Sequence, residues 1–194
     1  MTVHYPSAGI VTRTRAVSGD RQAAGRQGGQ AMEHNTHPEF VGVDGIKEKH
    51  AWQLVLFEEW VEGGMWDRIH AAHYDWWMFP IDAPSSYGFG WTVYEGEVAE
   101  LKGDALFVRG YLRGAEILAL SWGWDLAARA PVLDAHPDQR WQDWPVRLFK
   151  CATSLRLFGF PEQFDSLKAY GAGLVRVGVD LSFRGRDLSG MFRE

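Results

Sequence analysis

The densest group of side chains that could do chemistry lies between His70 and Pro80, where the sequence reads HAAHYDWWMFP. Asp67, His70 and His73 stand three residues apart, a spacing that can bring metal ligands together on one side of a helix. At about 100° per residue the triplet instead drifts around the helix surface, and no second His, Cys or Glu group with matching spacing completes a site. We therefore predict neither a metal nor a cofactor, with His73 hydrogen-bonded in the core and His70 in solvent.

Sequence patterns for nucleophilic catalysis and for phosphate binding are missing. The single cysteine, Cys151, lies in a helical pattern, and there is no Gly-x-Ser-x-Gly turn and no Walker sequence. The glycine pairs at 88/90 and 171/173 lack the third glycine of a dinucleotide-binding loop. The sequence assigns no catalytic residue and does not decide whether the protein is an enzyme.

Two short segments carry a family resemblance. Residues 73–80, HYDWWMFP, resemble the H-W-x-W-F-x-F-P motif of a bacterial family of unknown function, some members of which are labelled calpastatin. Residues 150–158, KCATSLRLF, are similar to that family's later K-x-x-S-S-x-T-L-F motif, in the same order along the chain. The resemblance covers about residues 50–171.

The sequence departs from the family pattern beside the first motif. Ala71 and Ala72 stand where the family has a basic residue and a serine, and Ile81 stands where it has a glutamine. The resemblance implies a compact all-helical fold and no established activity. It also implies four positions of interest, namely His73, Trp76, Lys150 and Ser154.

These positions allow two interpretations. An inward-facing His73 and Trp76 with Lys150 on a neighbouring helix would form a polar spot in an apolar wall, which is how small-ligand sites are built. In the alternative, a core polar network, Lys150 pairs with a carboxylate and His73 donates to a backbone carbonyl. The ligand-binding candidates are His73, Trp76, Trp77, Lys150 and Ser154.

Two function classes follow from these interpretations. The first is a soluble, non-enzymatic binding or interaction domain, which the lack of a catalytic pattern favours. The second is an enzyme or receptor for a small ring-bearing ligand of nucleotide or sugar type, which the ten tryptophans and the polar spot at His73 and Lys150 favour. Simple core packing is the competing explanation for so many tryptophans.

Composition and charge limit the partners and the compartment. The 194 residues carry a net charge of −5. The first 37 residues hold four arginines against Asp20 and Glu33, so the rest of the chain carries about −7. We therefore expect no nucleic acid as the main partner. No apolar stretch approaches the length of a bilayer span, so we expect no membrane contact and a cytoplasmic location, which the lone cysteine also fits.

Apolar residues recur at helical spacing through most of the chain, so we predict a mainly α fold. The expected form is a compact, single-layered bundle of five or six helices, with Trp76, Phe79, Leu155 and Phe158 in one core. The predicted helices span residues 44–62, 65–76, 91–101, 104–126, 145–158 and 161–171, and the fourth should kink or break near Gly123. Asp104 should cap the fourth, and Pro145 and Pro161 should open the last two.

We predict three sections along the chain: a disordered N-terminal tail at residues 1–37, a helical domain at 38–173, and a C-terminal strand and tail at 174–194. The tail is rich in Gly, Gln, Ser and Arg and shows no packing period. An Arg-rich, acid-poor leader is also typical of an organellar transit peptide, and Met32 is an alternative start.

The C-terminal section alternates apolar and polar residues, which is typical of a half-buried strand. The sequence does not specify its pairing partner. Candidates are residues 40–43, residues 10–17 of the tail, or a second copy of the chain. The last candidate predicts a homodimer through residues 174–183.

Overall fold

The computed structural model describes residues 32–86 and 88–193, and within them the chain forms seven α-helices and two short β-hairpins. The helices are α1 Gly42–Glu62, α2 Trp66–Ala71, α3 Asp75–Met78, α4 Glu95–Gly103, α5 Ala105–Ser121, α6 Pro145–Leu157 and α7 Pro161–Arg176. The strands are β1 Trp124–Asp125, β2 Ala130–Pro131, β3 Ser182–Phe183 and β4 Arg186–Asp187, with β1 paired to β2 and β3 to β4. The predicted mainly α fold is confirmed. Over the same residues, no helix has the length and apolar character that crossing a bilayer requires.

Local sequence signals set the beginnings of three helices. The Asp104 carboxylate accepts hydrogen bonds from the backbone nitrogens of Leu106 and Phe107 at 3.0 and 3.1 Å, and so caps α5 as predicted. Pro145 and Pro161 occupy the first turns of α6 and α7, where a missing N–H costs nothing.

The predicted helix at residues 65–76 is wrong, because the chain breaks between α2 and α3. Ala72 has an extended backbone, with ψ of 158°. The Arg147 guanidinium donates to the carbonyl oxygens of Ile69, His70 and Ala72 at 3.2, 2.7 and 2.5 Å. These bonds satisfy the end of α2 from outside the helix, so the helix need not continue. Because the break divides one predicted helix into α2 and α3, the structure has seven α-helices where five or six were predicted.

The hydrophobic core surrounds α5, which packs along α1, while α6 packs along α7. Phe79, Leu155 and Phe158 are fully buried there, as predicted, and the Phe158 ring stacks on Tyr111 with centroids 4.9 Å apart. The prediction that Trp76 shares this core is wrong. Its side chain is only partly buried and lies outside the core cluster.

The ten tryptophans differ in how far they are buried. Trp60, Trp66 and Trp122 are buried, and Trp52 is 52% exposed. The other six are half-buried: Trp76, Trp77, Trp91, Trp124, Trp141 and Trp144. Core packing therefore accounts for seven of the ten, because Trp77, Trp91, Trp124 and Trp141 also pack against the core, whereas Trp52, Trp76 and Trp144 do not.

The ordered domain begins earlier than residue 38. Asn35 is 8% exposed, and its side-chain nitrogen donates to the carbonyl oxygens of Phe89 and Thr92 at 2.9 and 2.8 Å. Its backbone nitrogen donates to the Glu97 carboxylate at 3.0 Å. The part of the predicted tail that the structure describes is therefore joined to the domain, while residues 1–31, including the proposed strand at 10–17, lie outside the described residues.

The C-terminal strand is present but shorter than predicted. Residues 174–176 belong to α7, and β3 pairs with β4 through Ser182 opposite Asp187 and Phe183 opposite Arg186. The partner strand thus comes from the same chain, so the pairing of β3 does not require a second copy. The homodimer through residues 174–183 stays a prediction, but the need to pair a lone strand no longer supports it.

A buried histidine, His50 on α1, makes the fold sensitive to acid. It is 2% exposed, its ring lies 5.0 Å from the Phe107 ring, and burial lowers its pKa from 6.5 to about 4. As the pH falls below 6.5, His50 takes up a proton in the unfolded chain but not in the folded chain. The contribution of neutral His50 to the free energy of unfolding is therefore complete above pH 6.5 and is lost as the pH falls towards 4.

We therefore expect the free energy of unfolding to fall by about 2 kcal/mol between pH 7 and pH 5 through His50 alone. Urea unfolding at several pH values measures this slope. His50→Leu should make it shallower and leave a contribution from His70, whose pKa burial also lowers, whereas His136→Leu, at an exposed position, should leave it unchanged. Equal slopes in the parent and in His50→Leu would contradict the assignment.

Candidate functional site

A cleft of about 570 Å³ opens beside α6. Its walls are one face of α6, the segment from Asp75 to Ser86, and the hairpin of β3 and β4. We call it the α6 cleft. Its volume lies within the range of about 300–1,000 Å³ that small-molecule sites occupy.

The helical period of α6 divides its residues between the cleft and the core. The residues that line the cleft are Val146, Phe149, Lys150, Thr153 and Arg156. On the opposite side, Leu148 and Leu155 are fully buried in the core. Residues three and four apart share a helix face, so a single amphipathic helix holds this whole wall.

An ion pair lies at the base of the cleft. Lys150 Nζ is 3.0 Å from Asp75 Oδ2, with side chains 11% and 7% exposed. The ammonium also lies 5.0 Å from the Trp76 ring centroid, within cation–π range. Burial lowers the pKa of Lys150, while the Asp75 carboxylate opposes that shift. The pair therefore fixes a charged amine against an aromatic face.

Aromatic rings form the rim. His73 is exposed, and its ring centroid lies 6.2 Å from that of Trp76 and 6.2 Å from that of Trp144, which it meets edge-on. Phe149 and Phe183 also line the cleft. A flat ligand ring would find stacking surfaces on several sides.

Two predicted site residues lie outside the α6 cleft. Ser154 is fully buried, and its hydroxyl accepts from Tyr111 Oη and donates to the Pro80 carbonyl, both at 2.8 Å. The Trp77 ring lies 5.4 Å from Trp91 and is not part of the cleft wall. The structure therefore brings together His73, Trp76 and Lys150 but assigns Ser154 to a core hydrogen-bond network.

The predicted roles of the two histidines are exchanged. His70 is buried at 6% exposure, with Nε2 2.9 Å from the Ser121 carbonyl, and His73 faces solvent. The break between α2 and α3 turns His73 away from the core. Among residues 32–86 and 88–193 there is no group of three or more His, Cys, Asp or Glu side chains that could hold a metal ion.

Sequence reasoning missed several cleft residues. Asp75 lies inside the motif at residues 73–80, but its partner Lys150 is 75 positions further along the chain. Sequence spacing therefore does not indicate that the two side chains meet. Thr153 is 7% exposed, and within the described structure its hydroxyl has no hydrogen-bond partner. The alternating pattern extends to Arg184, so it gives no indication that Arg184 and Gly185 form a turn or that Arg186 lines a cleft.

The cleft is cationic although the protein is acidic. Four basic side chains line it, namely Lys150, Arg156, Arg184 and Arg186. The acidic side chains that line it are Asp75 and Asp82. The whole chain carries −5. A cationic cleft attracts anions, and its low-dielectric walls strengthen that attraction.

The arrangement suits binding better than covalent chemistry. Cys151 faces the core and is fully buried, and burial raises the pKa of its thiol, so no thiolate reaches the cleft. Lys150 is held by Asp75. Stacking surfaces and fixed charges can position a ring and a polar group without a reacting side chain.

Comparison with known proteins adds no assignment to this geometry. The resemblance of residues 73–80 and 150–158 to a bacterial family stays a prediction, and the function rests on the cleft itself. The chain matches no protein-family model, no curated protein and no solved structure.

Proposed function

We propose that the protein binds a small ring-bearing ligand, of nucleotide or sugar type, in the α6 cleft. The observation that carries the proposal is the buried pair of Lys150 and Asp75 beside the Trp76 ring, at the base of a cavity of about 570 Å³. Small-molecule sites combine an apolar wall with a few fixed polar groups, and this cleft has both.

The ligand ring would stack on Trp76, and its polar substituents would meet Lys150 and the Thr153 hydroxyl. The Thr153 hydroxyl is buried and has no partner within the described chain, so a ligand atom that bonds it removes a desolvation cost. Because Asp75 holds Lys150 in place, little side-chain entropy is lost on binding.

The proposal concerns binding and assigns no reaction. It is compatible with the predicted non-enzymatic binding domain and with a receptor. It differs from a protein-interaction domain, because a concave cleft of about 570 Å³ suits a small molecule, whereas a protein–protein interface buries about 800 Å² on each partner.

A thermal-shift series on the full chain tests the proposal, with nucleotides, sugars, sugar phosphates and aromatic acids as probes. A ligand at about 100 times its dissociation constant stabilises the folded state by about 2.7 kcal/mol, which gives a clear rise in Tm. We expect at least one ring compound to produce this rise.

Trp76→Ala should abolish the rise, and the cooperative melt of the free variant checks that it is folded. Trp52→Ala is the matched control, since Trp52 is 52% exposed on α1 and does not line the cleft. A shift that persists unchanged in Trp76→Ala would contradict the proposal. A flat response over the whole series would favour the interaction domain.

A further inference from the structure

The hairpin of β3 and β4, which forms one wall of the α6 cleft, has a turn of unusual composition. Arg184 and Gly185 form the two-residue turn, with φ of +50° and +78°. Such a turn needs a positive φ at both positions, which Asn-Gly supplies with least strain. Arginine at the first position costs backbone energy and adds nothing to the turn, so its side chain is the feature that requires explanation.

The two arginines of the hairpin lie over aromatic rings. The guanidinium carbon of Arg184 lies 5.4 Å from the Phe183 ring centroid, and that of Arg186 lies 5.5 Å from the Phe149 ring centroid. Both arginines line the cleft. Packing against a ring limits the directions in which each guanidinium can point, which prepares its donors for a ligand.

Neither guanidinium is neutralised within the part of the chain that the structure describes. No carboxylate there forms an ion pair with Arg184 or Arg186, although the protein contains 25 acidic residues. The one carboxylate of the hairpin, Asp187, pairs instead with Arg193 at 3.0 Å. In contrast, Lys150 on the other wall has its own counter-ion in Asp75. Of the cleft cations without an ion pair in the described structure, two therefore lie together on the hairpin, while the third, Arg156, lies on α6 with its guanidinium carbon 5.9 Å from the Phe164 ring centroid.

We propose, on the basis of the ligand-binding function above, that the ligand carries an oxyanion which Arg184 and Arg186 bind at the hairpin end while its ring stacks at the Trp76 end. Guanidinium groups bind phosphate, sulfonate and carboxylate oxygens through paired, charge-assisted hydrogen bonds. The ligand class is thus an anionic ring compound, such as a ring phosphate or a ring carboxylate.

Two fluorescent dyes that differ in one group test this assignment. 8-Anilinonaphthalene-1-sulfonate carries a sulfonate, and N-phenyl-1-naphthylamine is the same ring system without it. Both become fluorescent in apolar sites, so each Kd is measured by titration of the full chain. We expect the sulfonate dye to bind about tenfold more tightly than the neutral dye, and this preference to shrink at about 0.5 M NaCl.

The double variant Arg184→Asn/Arg186→Gln should remove the preference and leave the affinity for the neutral dye unchanged. Asparagine adopts the left-handed backbone readily, so the turn keeps its geometry. Circular dichroism checks that the variant is folded. The control is Arg109→Gln, which removes one positive charge from the exposed side of α5, away from the cleft, and should preserve the preference.

Inorganic pyrophosphate and benzoate then distinguish the two sources of the anion. The competitor that displaces the sulfonate dye at the lower concentration identifies a phosphate or a carboxylate as the preferred group, and neither should compete in the double variant.

The possible failures separate the two proposals. The oxyanion assignment is overturned, and the binding function stands, under three results together. The two dyes bind the parent with equal affinity, both bind Trp76→Ala more weakly, and both bind the arginine double variant as well as the parent. If neither dye binds, or if both bind Trp76→Ala as well as the parent, the binding function itself is overturned.

Discussion

Replacing Arg147 with methionine will lower the free energy of unfolding by about 3 kcal/mol. Arg147 is 1% exposed, and its guanidinium donates to three backbone carbonyls at the end of α2. It also lies 5.0 Å from the Tyr74 ring and 4.6 Å from the Trp144 ring. Methionine fills a similar volume but leaves those carbonyls buried without donors, so the cost is that of unsatisfied acceptors and not of a cavity.

Urea unfolding followed by circular dichroism measures the loss. Arg109→Met is the matched control, because Arg109 is exposed on α5 and its replacement should change stability by less than about 0.5 kcal/mol. If Arg147→Met cost less than about 1 kcal/mol, the carbonyls would have other partners and our account of the break after α2 would fail.

The second large effect concerns the ion pair at the base of the cleft. Asp75→Asn and Lys150→Met will each lower the free energy of unfolding by about 3 kcal/mol near neutral pH, because each leaves a buried charge without its counter-ion. The double variant will recover most of that loss, since it buries no charge. A double-mutant cycle in urea measures the coupling between the two side chains.

The pH dependence of Asp75→Asn provides an independent check. Without the carboxylate, burial lowers the pKa of Lys150 further than in the parent. The unfolded chain then binds more protons than the folded chain in the range below the ordinary lysine pKa of about 10.4, so stability rises with pH there. The deficit of Asp75→Asn relative to the parent should therefore be smaller near pH 9 than near pH 7.

The cycle also separates stability from binding. If the pair serves only the fold, the double variant will be stable and will still bind the ligand or dye. If Lys150 contacts the ligand, as the proposed function requires, the double variant will be folded and will bind weakly. Single costs that simply add in the double variant would show that the two groups do not interact.

Much of the helical framework is determined by local sequence. Asp104 caps α5, and Pro145 and Pro161 open α6 and α7 where the sequence places them. These signals act within one helical turn, so they need no knowledge of the rest of the fold. The sequence also predicts the face of α6 that buries Leu155, because helical period alone separates core from surface.

Errors arose where distant residues compete with local pattern. The helix predicted at 65–76 is divided because Arg147 binds carbonyls more than 70 positions earlier in the chain. That break exchanges the environments of His70 and His73. At the C-terminus, alternating valines suggested a strand, yet Val175 lies in α7 and packs against the core as part of a helix.

The candidate site shows the same division. The sequence by itself determined which side chains with useful chemistry exist, and it identified His73, Trp76 and Lys150 as candidates. Only the tertiary structure decided that Asp75 holds Lys150, that Ser154 belongs to a core network, and that the hairpin arginines line the same cleft. The physical reason is that a local pattern fixes a residue's face on its own element, whereas a binding site depends on which faces of separate elements the packing of the core brings together.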